Sequence, residues 1–453
     1  MNLARDNFAP ESATKVRSAS SDLPFRPVQY LGNKLRTLDQ IADATASLIG
    51  TTGRVADLFT GSTVVAQAFA RRGYEVAAVD TQRYAVVFAD ALLGIARRPG
   101  EKCDAEFVTN AVLGRATERN FKVWLPFVDR EDRALRLRDH QALQALYAEL
   151  PLIWRDPRNK YFNTTQGDVE SSAIGCLPLL TSIYAGQYFG VRQALAIDRL
   201  RHTVEALRST GVLSQWQFNV ALTAIMNAAS SAVHSAGKHF AQPLNAGSST
   251  NYSFLDKRLA SDRQICIKSQ FKAACTAIQS CAPFSNAGHY SNHMAAEDFV
   301  KTSPAPFDMY YVDPPYTAQQ YSRFYHILET IVTYQLPQLL HNGRLTTGLY
   351  PLNRYKSAFS SRKNAVLAFR AIIRQAKAQK TALLISYSVS ARDSRGNARM
   401  ISLEDLIREC KDGFGDASVD WGRMSHRYRQ FNNAASSNDR RDDTEILIKC
   451  KTR

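Results

Sequence analysis

Residues 54–80 read RVADLFTGSTVVAQAFARRGYEVAAVD, and their pattern indicates the fold class of the chain. The short apolar run at 54–59 is typical of a buried parallel strand that enters a tight turn. The next stretch, 64–74, has helical spacing and reaches Gly73, a residue that often ends helices. EVAAVD at 75–80 predicts a second strand that ends on an acid. Together these segments predict one βαβ unit with a right-handed crossover.

Three later segments repeat the strand pattern. FDMYYVD (307–313), TALLISY (381–387) and TEILIK (444–449) each predict a strand. An amphipathic helix is predicted over roughly 362–379, before the second of them. Because strands alternate with helices, the sequence predicts an α/β fold with a doubly wound, Rossmann-like sheet.

The chain divides into regions of different character. Residues 1–25 are polar, rich in Ser and Ala and without the apolar stretch of a secretory signal, so we expect a disordered tail. Residues 26–100 and 291–453 carry the sheet pattern. Residues 101–290 are basic and lack it, which predicts a large helix-rich insertion. Within them, 129–150 (DREDRALRLRDHQALQALYAEL) forms one strong helical stretch, although such charge runs are commonly only a solvated face.

The charge balance indicates a polyanionic partner. Fifty-seven Lys and Arg stand against 41 Asp and Glu, a formal net charge of +16. Basic surface binds phosphates by releasing counterions, so nucleic acid is favoured, although charge alone also fits a protein that merely stays soluble. No apolar run approaches the roughly 20 residues that a bilayer requires, and no membrane partner is expected. The seven cysteines are odd in number and scattered, which favours a reducing cytoplasm over a disulfide framework.

One cysteine–histidine cluster has the residue types of a zinc site. Cys275, Cys281, His289 and His293 form a C-x5-C-x7-H-x3-H pattern. The spacing departs from the common zinc finger, so ordinary buried thiols and surface histidines are the favoured interpretation. We therefore expect no metal.

The tetrapeptide Asp313-Pro314-Pro315-Tyr316 follows directly on a predicted strand. Two consecutive prolines force the chain to turn, which presents a carboxylate, a carbonyl and an aromatic ring together. An exocyclic base amine is a poor nucleophile, and two acceptors on its hydrogens would take the charge that develops as a methyl group arrives. The ring would stack on a base rotated out of its duplex. Alone, the tetrapeptide also fits a proline-rich turn at a strand end.

Other motifs lie where ligands of such a sheet bind, beyond the carboxyl ends of the strands. Gly61 in the DLFTG turn allows close approach of a ligand, and Asp80 could take both hydroxyls of a ribose. The turn continues as GSTVVA and lacks G-x-G-x-x-G, which argues against a dinucleotide pyrophosphate. Upstream lies YLGNK at 30–34, which alone would be a surface turn with a solvated lysine.

The order of these motifs resembles the D12 class of DNA adenine-N6 methyltransferases. Y-L-G-x-K, D-x-F-x-G, a strand-ending acid, a long insertion and DPPY follow one another as in that class. The match is most specific in TAQQYSRFYHILETI (317–331), which resembles the segment after DPPY in the modification enzymes. VALTAIMNAASSAVHSAGKHF (220–240), LLISYS (383–388), Tyr161-Phe162 and Gly167-Asp168 add weaker matches.

The resemblance implies S-adenosylmethionine as cofactor and a set of residues that bind it. Tyr30 and Lys34 would line the cofactor from the N-terminal segment. The DLFTG turn would hold its methionine end, and Asp80 its ribose. The implied residues of that turn are Asp57, Phe59 and Gly61.

The resemblance also implies residues that handle the base. Asp313 and the Pro314 carbonyl would accept the amino hydrogens, and Tyr316 would stack on the flipped base. Three further residues would shape the base pocket or the DNA path, with plain helix packing an equal alternative for each. They are Tyr321, Tyr325 and His326.

The expected function is site-specific methyl transfer to adenine N6 in double-stranded DNA, with target readout by 101–290. Cytosine N4 remains an alternative target. Ser62-Thr63 replaces a second glycine of the family turn, and Ala295-Ala296 replaces an Asp-Ala pair. These departures leave open a DNA-binding protein on a methyltransferase scaffold with lost or weak turnover. A cognate restriction endonuclease or another defence-system partner is also left open.

Overall fold

The structure is a computed structural model that describes residues 23–452, with gaps. The gaps are at 33, 96, 98–100, 102–103, 117–118, 157–176, 245–251, 282–287, 304–305, 342–343, 390–397 and 429–442. Residues 1–22 of the expected disordered tail (1–25) and the matches at Tyr161-Phe162 and Gly167-Asp168 lie outside the described residues. Phe25, at the end of that predicted tail, exchanges two hydrogen bonds of 2.9 Å with the Gln67 side chain.

A seven-stranded sheet forms the centre of the fold, and a two-stranded ribbon lies apart from it. The strands in the described part of the chain are β1 Arg54–Asp57, β2 Glu75–Asp80, β3 Tyr290–His293, β4 Met309–Val312, β5 Leu340–His341, β6 Arg344–Leu345, β7 Ala382–Ser388, β8 Val419–Tyr428 and β9 Asp443–Cys450. The order in the sheet is β3-β2-β1-β4-β7-β9-β8. The pairs from β3 to β7 are parallel, whereas β9 runs antiparallel to both of its neighbours.

This sheet confirms the prediction of a doubly wound α/β fold. All five segments that had a strand pattern form strands, and β2 has the predicted ends. The edge strands β3 and β8 were not predicted. Tyr290–His293 reads YSNH and has no apolar alternation, because an edge strand need not bury either face fully.

Helices cover both faces of the sheet and make up the region between β2 and β3. In the described residues they are α1 Leu38–Ile49, α2 Val64–Arg71, α3 Arg83–Leu92, α4 Ala105–Arg115, α5 Leu125–Leu137, α6 His140–Glu149, α7 Leu179–Tyr184, α8 Val191–Ser209, α9 Gln215–Ala232, α10 Tyr252–Gln264, α11 Ile267–Cys281, α12 Ala296–Thr302, α13 Tyr321–Phe324, α14 His326–Thr333, α15 Arg362–Ala378 and α16 Leu403–Phe414. None of these helices has the length and apolar character needed to cross a membrane.

The helical stretch 129–150 is interrupted. α5 ends at Leu137, and Arg138 takes a left-handed conformation with φ of 52°. Asp139 then caps α6, since its carboxylate accepts a hydrogen bond from the Ala142 N–H at 2.9 Å. An aspartate that competes for backbone N–H groups favours a new helix start over continuation, so the stretch forms two helices.

The apolar residues form cores on both sides of the sheet and a third among the helices of the insertion. Phe69 of α2 and Ile372 of α15 belong to the cores on opposite faces. The third core joins Ile225 of α9 to Phe88 of α3 and Leu328 of α14. The helix-rich region therefore packs continuously against helices of the sheet region, and its status as a separate domain remains a prediction.

Candidate active site

A crevice opens where the strand order reverses. From β1 the chain moves outward through β2 to β3, and then returns to place β4 on the other side of β1. Asp57 pairs with Tyr311 across these two strands, and the Leu58 N–H continues the pairing to the Tyr311 carbonyl at 3.0 Å. Beyond this pair the chains separate, one into the DLFTG turn and the other into Asp313. In open α/β sheets, this is the position where ligands bind.

The crevice, with the open solvent at its mouth, has about 950 Å³ of empty space, and most of the residues that the sequence singled out line it. Those that line it are Tyr30, Lys34, Asp57, Phe59, Gly61, Asp80, Asp313, Tyr316 and Tyr321. Pro314 is not among the lining residues, although Asp313 and Pro315 on either side of it are. The segment after β6 adds residues that the sequence did not indicate, including Tyr355 and Phe359.

Lys34 lies at the centre of a buried polar network beside the tetrapeptide. Its ammonium nitrogen is 3.1 Å from Asp313 Oδ1, 2.9 Å from Glu445 Oε1 and 2.9 Å from the Tyr316 hydroxyl oxygen. The Tyr316 hydroxyl in turn donates a hydrogen bond to Asp313 Oδ1. Only 3% of the Lys34 side chain is exposed, so this lysine is an internal part of the site.

The charges in this network shift the pKa values of its members. Burial alone lowers the pKa of the Lys34 ammonium, but the charges of Asp313 and Glu445 outweigh burial and raise that pKa well above its ordinary value. Burial raises the pKa of the Asp313 carboxyl, and the neighbouring Lys34 charge opposes that rise. Burial and the Asp313 charge raise the pKa of Tyr316 as well. Lys34 is therefore a stable cation that helps to keep Asp313 ionised.

Sequence reasoning missed Glu445. It belongs to TEILIK, which was predicted only as a late strand, and no motif pointed to its carboxylate. Because β9 is antiparallel, the start of this strand lies at the same edge of the sheet as the ends of β1 and β4. The available signal was an acid within an otherwise apolar strand, where a buried charge needs a partner.

The DLFTG turn is held by the acid at the end of β2. Asp80 Oδ2 accepts the Gly61 N–H at 2.9 Å, and Asp80 Oδ1 accepts the Gln82 N–H at 2.9 Å. Burial raises the pKa of Asp80 to about 6, although these hydrogen bonds oppose the rise. Asp57 is more deeply enclosed. Burial, with smaller effects from the Asp313 and Asp80 charges, raises its pKa to about 8.

Tyr30 packs over this turn and belongs to a stack of aromatic rings. Its ring lies 4.5 Å from that of Tyr325, nearly parallel, and 5.5 Å from that of Tyr321. Gly61 has φ of +47°, and a Cβ added there would lie 2.8 Å from two Tyr30 ring-end atoms. The tight approach of Tyr30 to the turn therefore needs glycine at this position.

Tyr325 and His326 do not line the crevice. Tyr325 is fully buried behind Tyr30, and its hydroxyl accepts the Leu31 N–H at 2.7 Å. His326 lies in the helical core, where burial lowers its pKa to about 3. Its ring contacts Tyr184 edge-on at 5.8 Å. These positions favour packing over direct base or DNA contact, whereas Tyr321 does reach the crevice.

Gly61→Ala is expected to destabilise the protein by about 2–4 kcal/mol, which combines left-handed backbone strain with displacement of Tyr30. Thermal unfolding measures this loss. Gly211→Ala is the matched control, because Gly211 also has positive φ (+73°) but nothing lies within 4 Å of an added Cβ. Equal losses for the two variants would show that the Tyr30 contact contributes nothing.

Residues of the cysteine–histidine cluster take part in separate interactions. Cys275 belongs to α11 and is buried in the core. His289 Nδ1 accepts the Val76 N–H at 3.1 Å, and His293 Nε2 lies 2.9 Å from the Thr81 carbonyl oxygen. Among the residues that the structure describes, no three His, Cys, Asp or Glu side chains are grouped to hold a metal ion.

A known family model matches the two parts of the chain that form most of the crevice. A model of the "D12 class N6 adenine-specific DNA methyltransferase" matches residues 30–108 and 268–382. These two segments are similar to the D12 class and together make up less than half of the chain. They contain β1, β2 and β4 with the crevice residues from Tyr30 to Phe359. Glu445 lies beyond the matched D12-class segments.

Curated relatives are modification methyltransferases. The modification methylase LlaI of Lactococcus lactis subsp. lactis is 24% identical over 262 residues, 58% of this chain and 36% of that protein. The type II methyltransferase M.FokI of Planomicrobium okeanokoites is 37% identical over 101 residues, 22% of this chain and 15% of that protein. The type II methyltransferase M.CviAII of Paramecium bursaria Chlorella virus 1 is 22% identical over 387 residues, 85% of this chain and 90% of that protein. The chain thus spans about a third of LlaI and less of M.FokI, but most of M.CviAII.

Proposed function

We propose that the protein is a site-specific DNA methyltransferase that transfers the methyl group of S-adenosylmethionine to N6 of a flipped adenine in double-stranded DNA. The observation that carries the proposal is the position of Asp313-Pro314-Pro315-Tyr316. The tetrapeptide follows the strand next to β1 and opens into the same crevice as the DLFTG turn, so a methyl donor and a base amine can meet there.

The crevice is acidic although the chain as a whole is basic. Asp57, Asp80, Glu297 and Asp313 line it, and Lys34 is the cation that faces them among the described lining residues. S-adenosylmethionine carries a sulfonium and an ammonium, and such a cationic ligand fits carboxylates that are otherwise costly to bury. The donor supplies an activated methyl group when bound, and the residues of this chain hold it.

The carboxylates of Asp57 and Asp80 would hold different parts of the donor. Asp57 is at the end of β1, beside the turn that would hold the methionine end. Asp80 already accepts two backbone N–H groups, and its remaining lone pairs could accept ribose hydroxyls. Tyr30 and Phe59 add apolar surface, and Phe59 contacts Phe359 edge-on at 5.0 Å.

On the base side, Asp313 and the Pro314 carbonyl would accept the two amino hydrogens. The N6 nitrogen forms a bond to the methyl carbon while the carbon–sulfur bond breaks, and one amino proton then leaves. Asp313 is placed to stabilise the positive charge on nitrogen and to take that proton. In the structure Tyr316 donates its hydroxyl to Asp313 Oδ1, so stacking of the Tyr316 ring on a base is expected to alter this hydrogen bond.

DNA as the partner accords with the formal charge of +16, since a basic surface gains affinity from phosphate contacts. We infer that 101–290 forms the target-recognition region, while 26–100 and 291–453 form the catalytic region. The "modification" and "type II" names of the relatives are the reason to propose a cognate restriction endonuclease or another defence-system partner.

Expression in a host without adenine methylation tests the function directly. Long-read sequencing of the host DNA is expected to show N6-methyladenine at one short sequence motif, and none in cells that express Asp313→Ala. N4-methylcytosine in place of methyladenine would support the cytosine alternative. Unmodified DNA, together with no S-adenosylmethionine binding by calorimetry at millimolar concentration, would favour a DNA-binding protein without turnover.

A further inference from the structure

Glu445 is joined to the tetrapeptide through Lys34, and the geometry of this contact differs from that of an incidental ion pair. The side chain of Glu445 is 5% exposed and that of Lys34 is 3% exposed, so neither charge is screened by solvent. A lysine ammonium has three donors. Here three oxygens surround it at 2.9–3.1 Å, from Asp313, Glu445 and Tyr316. The position of the ammonium is therefore fixed from three sides.

The ammonium and the three oxygens around it come from three distant parts of the chain. Lys34 belongs to the N-terminal segment, Asp313 and Tyr316 follow β4, and Glu445 is the third residue of β9. Glu445 lies opposite Ser388 in the antiparallel pairing of β7 with β9, so its backbone position is set by the sheet. A strand in the middle of a sheet is a rigid base for a site residue.

We propose that Glu445 is a positioning residue for methyl transfer, which shares the Lys34 ammonium with Asp313 and so leaves the Asp313 carboxylate free to accept the amino group of the base. This inference rests on the proposed function. A lysine paired with Asp313 alone would neutralise the carboxylate and compete with the base for its lone pairs. With Glu445 present, Lys34 still opposes protonation of Asp313 but is held toward β9.

The charges around Asp313 make this role measurable. Lys34, Tyr316, Tyr311, Glu445 and Asp57 all act on its carboxyl group. Lys34 lowers the pKa of Asp313, whereas the Glu445 charge raises it. Removal of Glu445 should therefore make Asp313 easier to ionise, and removal of Lys34 should make it harder. A merely structural loss would not shift the two pH profiles in opposite directions.

Glu445→Gln keeps the shape of the side chain and removes its charge. The turnover number is measured with purified full-length protein at saturating S-adenosylmethionine and DNA, from pH 5 to pH 9. The expected result is a turnover lower by about 10- to 100-fold, the scale of a misplaced reacting group, with the acid limb displaced to lower pH. For Lys34→Met, the acid limb should move to higher pH.

The double variant tests whether Glu445 acts through Lys34. In the Lys34→Met background, Glu445→Gln is expected to change turnover less than about twofold, because the contact it would break is already lost. Independent, multiplicative effects of the two substitutions would overturn the inference. So would Glu445→Gln with wild-type turnover and an unshifted profile.

Glu409→Gln is the matched control. Glu409 is also buried and paired with a cation, Arg370, by two contacts of 2.6 Å, but it lies on α16 away from the crevice. Glu409→Gln should alter thermal unfolding without altering the pH profile.

Glu445→Asp is the second variant if Glu445→Gln folds poorly. It retains the charge and should keep the acid limb of the wild type. An acid limb displaced as expected for Glu445→Gln would overturn the inference. If the wild-type protein methylates no DNA, the proposed function fails together with this inference. If the wild type methylates DNA but the Glu445 variants do not behave as expected, only this inference fails.

Discussion

Asp313→Ala is expected to reduce methyl transfer by at least about 10³-fold, because it removes the carboxylate that we propose accepts the amino hydrogens and takes the proton. Lys34 would retain Glu445 and the Tyr316 hydroxyl as partners, so the buried ammonium would not be left alone. The substitution should therefore damage chemistry far more than folding. Transfer of labelled methyl to DNA under single-turnover conditions measures the effect.

Asp313→Asn sharpens the interpretation of that result. The amide keeps the volume of the side chain but loses the charge, and one of its two polar atoms is a donor. It should be nearly as inactive as the alanine variant. Both variants should bind DNA with affinity close to that of the wild type at equal salt, since phosphate contacts dominate affinity. Wild-type turnover in either variant would refute the role of Asp313.

Asp57→Asn is expected to weaken S-adenosylmethionine binding by roughly 10- to 100-fold at pH 8, the scale of one charge-assisted hydrogen bond. The carboxylate ends β1 beside the DLFTG turn and lines the crevice. Calorimetry on the purified protein measures the affinity. An unchanged dissociation constant would show that Asp57 does not hold the cofactor.

The pH dependence of S-adenosylmethionine binding is expected to follow the ionisation of Asp57. Burial raises the pKa of Asp57 to about 8, so the carboxyl group is largely protonated at pH 7 in the free protein. A cationic ligand favours the ionised form, so affinity should rise with pH toward 8 and binding at pH 7 should release a proton. Calorimetry in two buffers of different ionisation enthalpy detects this proton. Asp57→Asn should lose that share of the proton release, while any share from the ammonium of the ligand would persist.

The stability of Asp57→Asn at different pH values provides a check that this variant folds. Because the folded-state pKa of Asp57 is raised, the group contributes stability below its unfolded pKa, and this contribution is lost as pH rises through about 8. Asp57→Asn should therefore be at least as stable as the wild type at pH 8 and above. A carboxylate whose ionised form disfavours folding is typical of a site built for a ligand rather than for stability.

Much of the site followed from local sequence, because each motif combines a chain conformation with a chemical group. DLFTG places an acid and a glycine at a strand end, and DPPY turns the chain beside a carboxylate. The doubly wound sheet then determines that Asp57, Asp80 and Asp313 meet at one edge. For the same reason β2 and its acid were predicted with the observed ends.

Tyr325 and His326 illustrate what motif matching leaves undecided. They stand in the most specific segment, QYSRFYHILETI, yet both side chains face the helical core and not the crevice. Tyr325 lies between α13 and α14 and His326 begins α14, and only tertiary packing decides whether side chains at such positions reach a ligand. Tyr321, four residues earlier, is the member of the group that lines the crevice.

Local sequence was enough to predict the fold class, the βαβ unit at 54–80 and the tetrapeptide at the end of β4, since strand periodicity and proline geometry are local properties. The burial of Lys34, and the sharing of its ammonium with Glu445 on a strand more than one hundred residues after Asp313, became visible only in the folded chain. The antiparallel direction of β9 causes this, because it brings the first residues of β9 to the carboxyl edge of the parallel strands. Strand order and direction are set by long-range pairing, which no local pattern records.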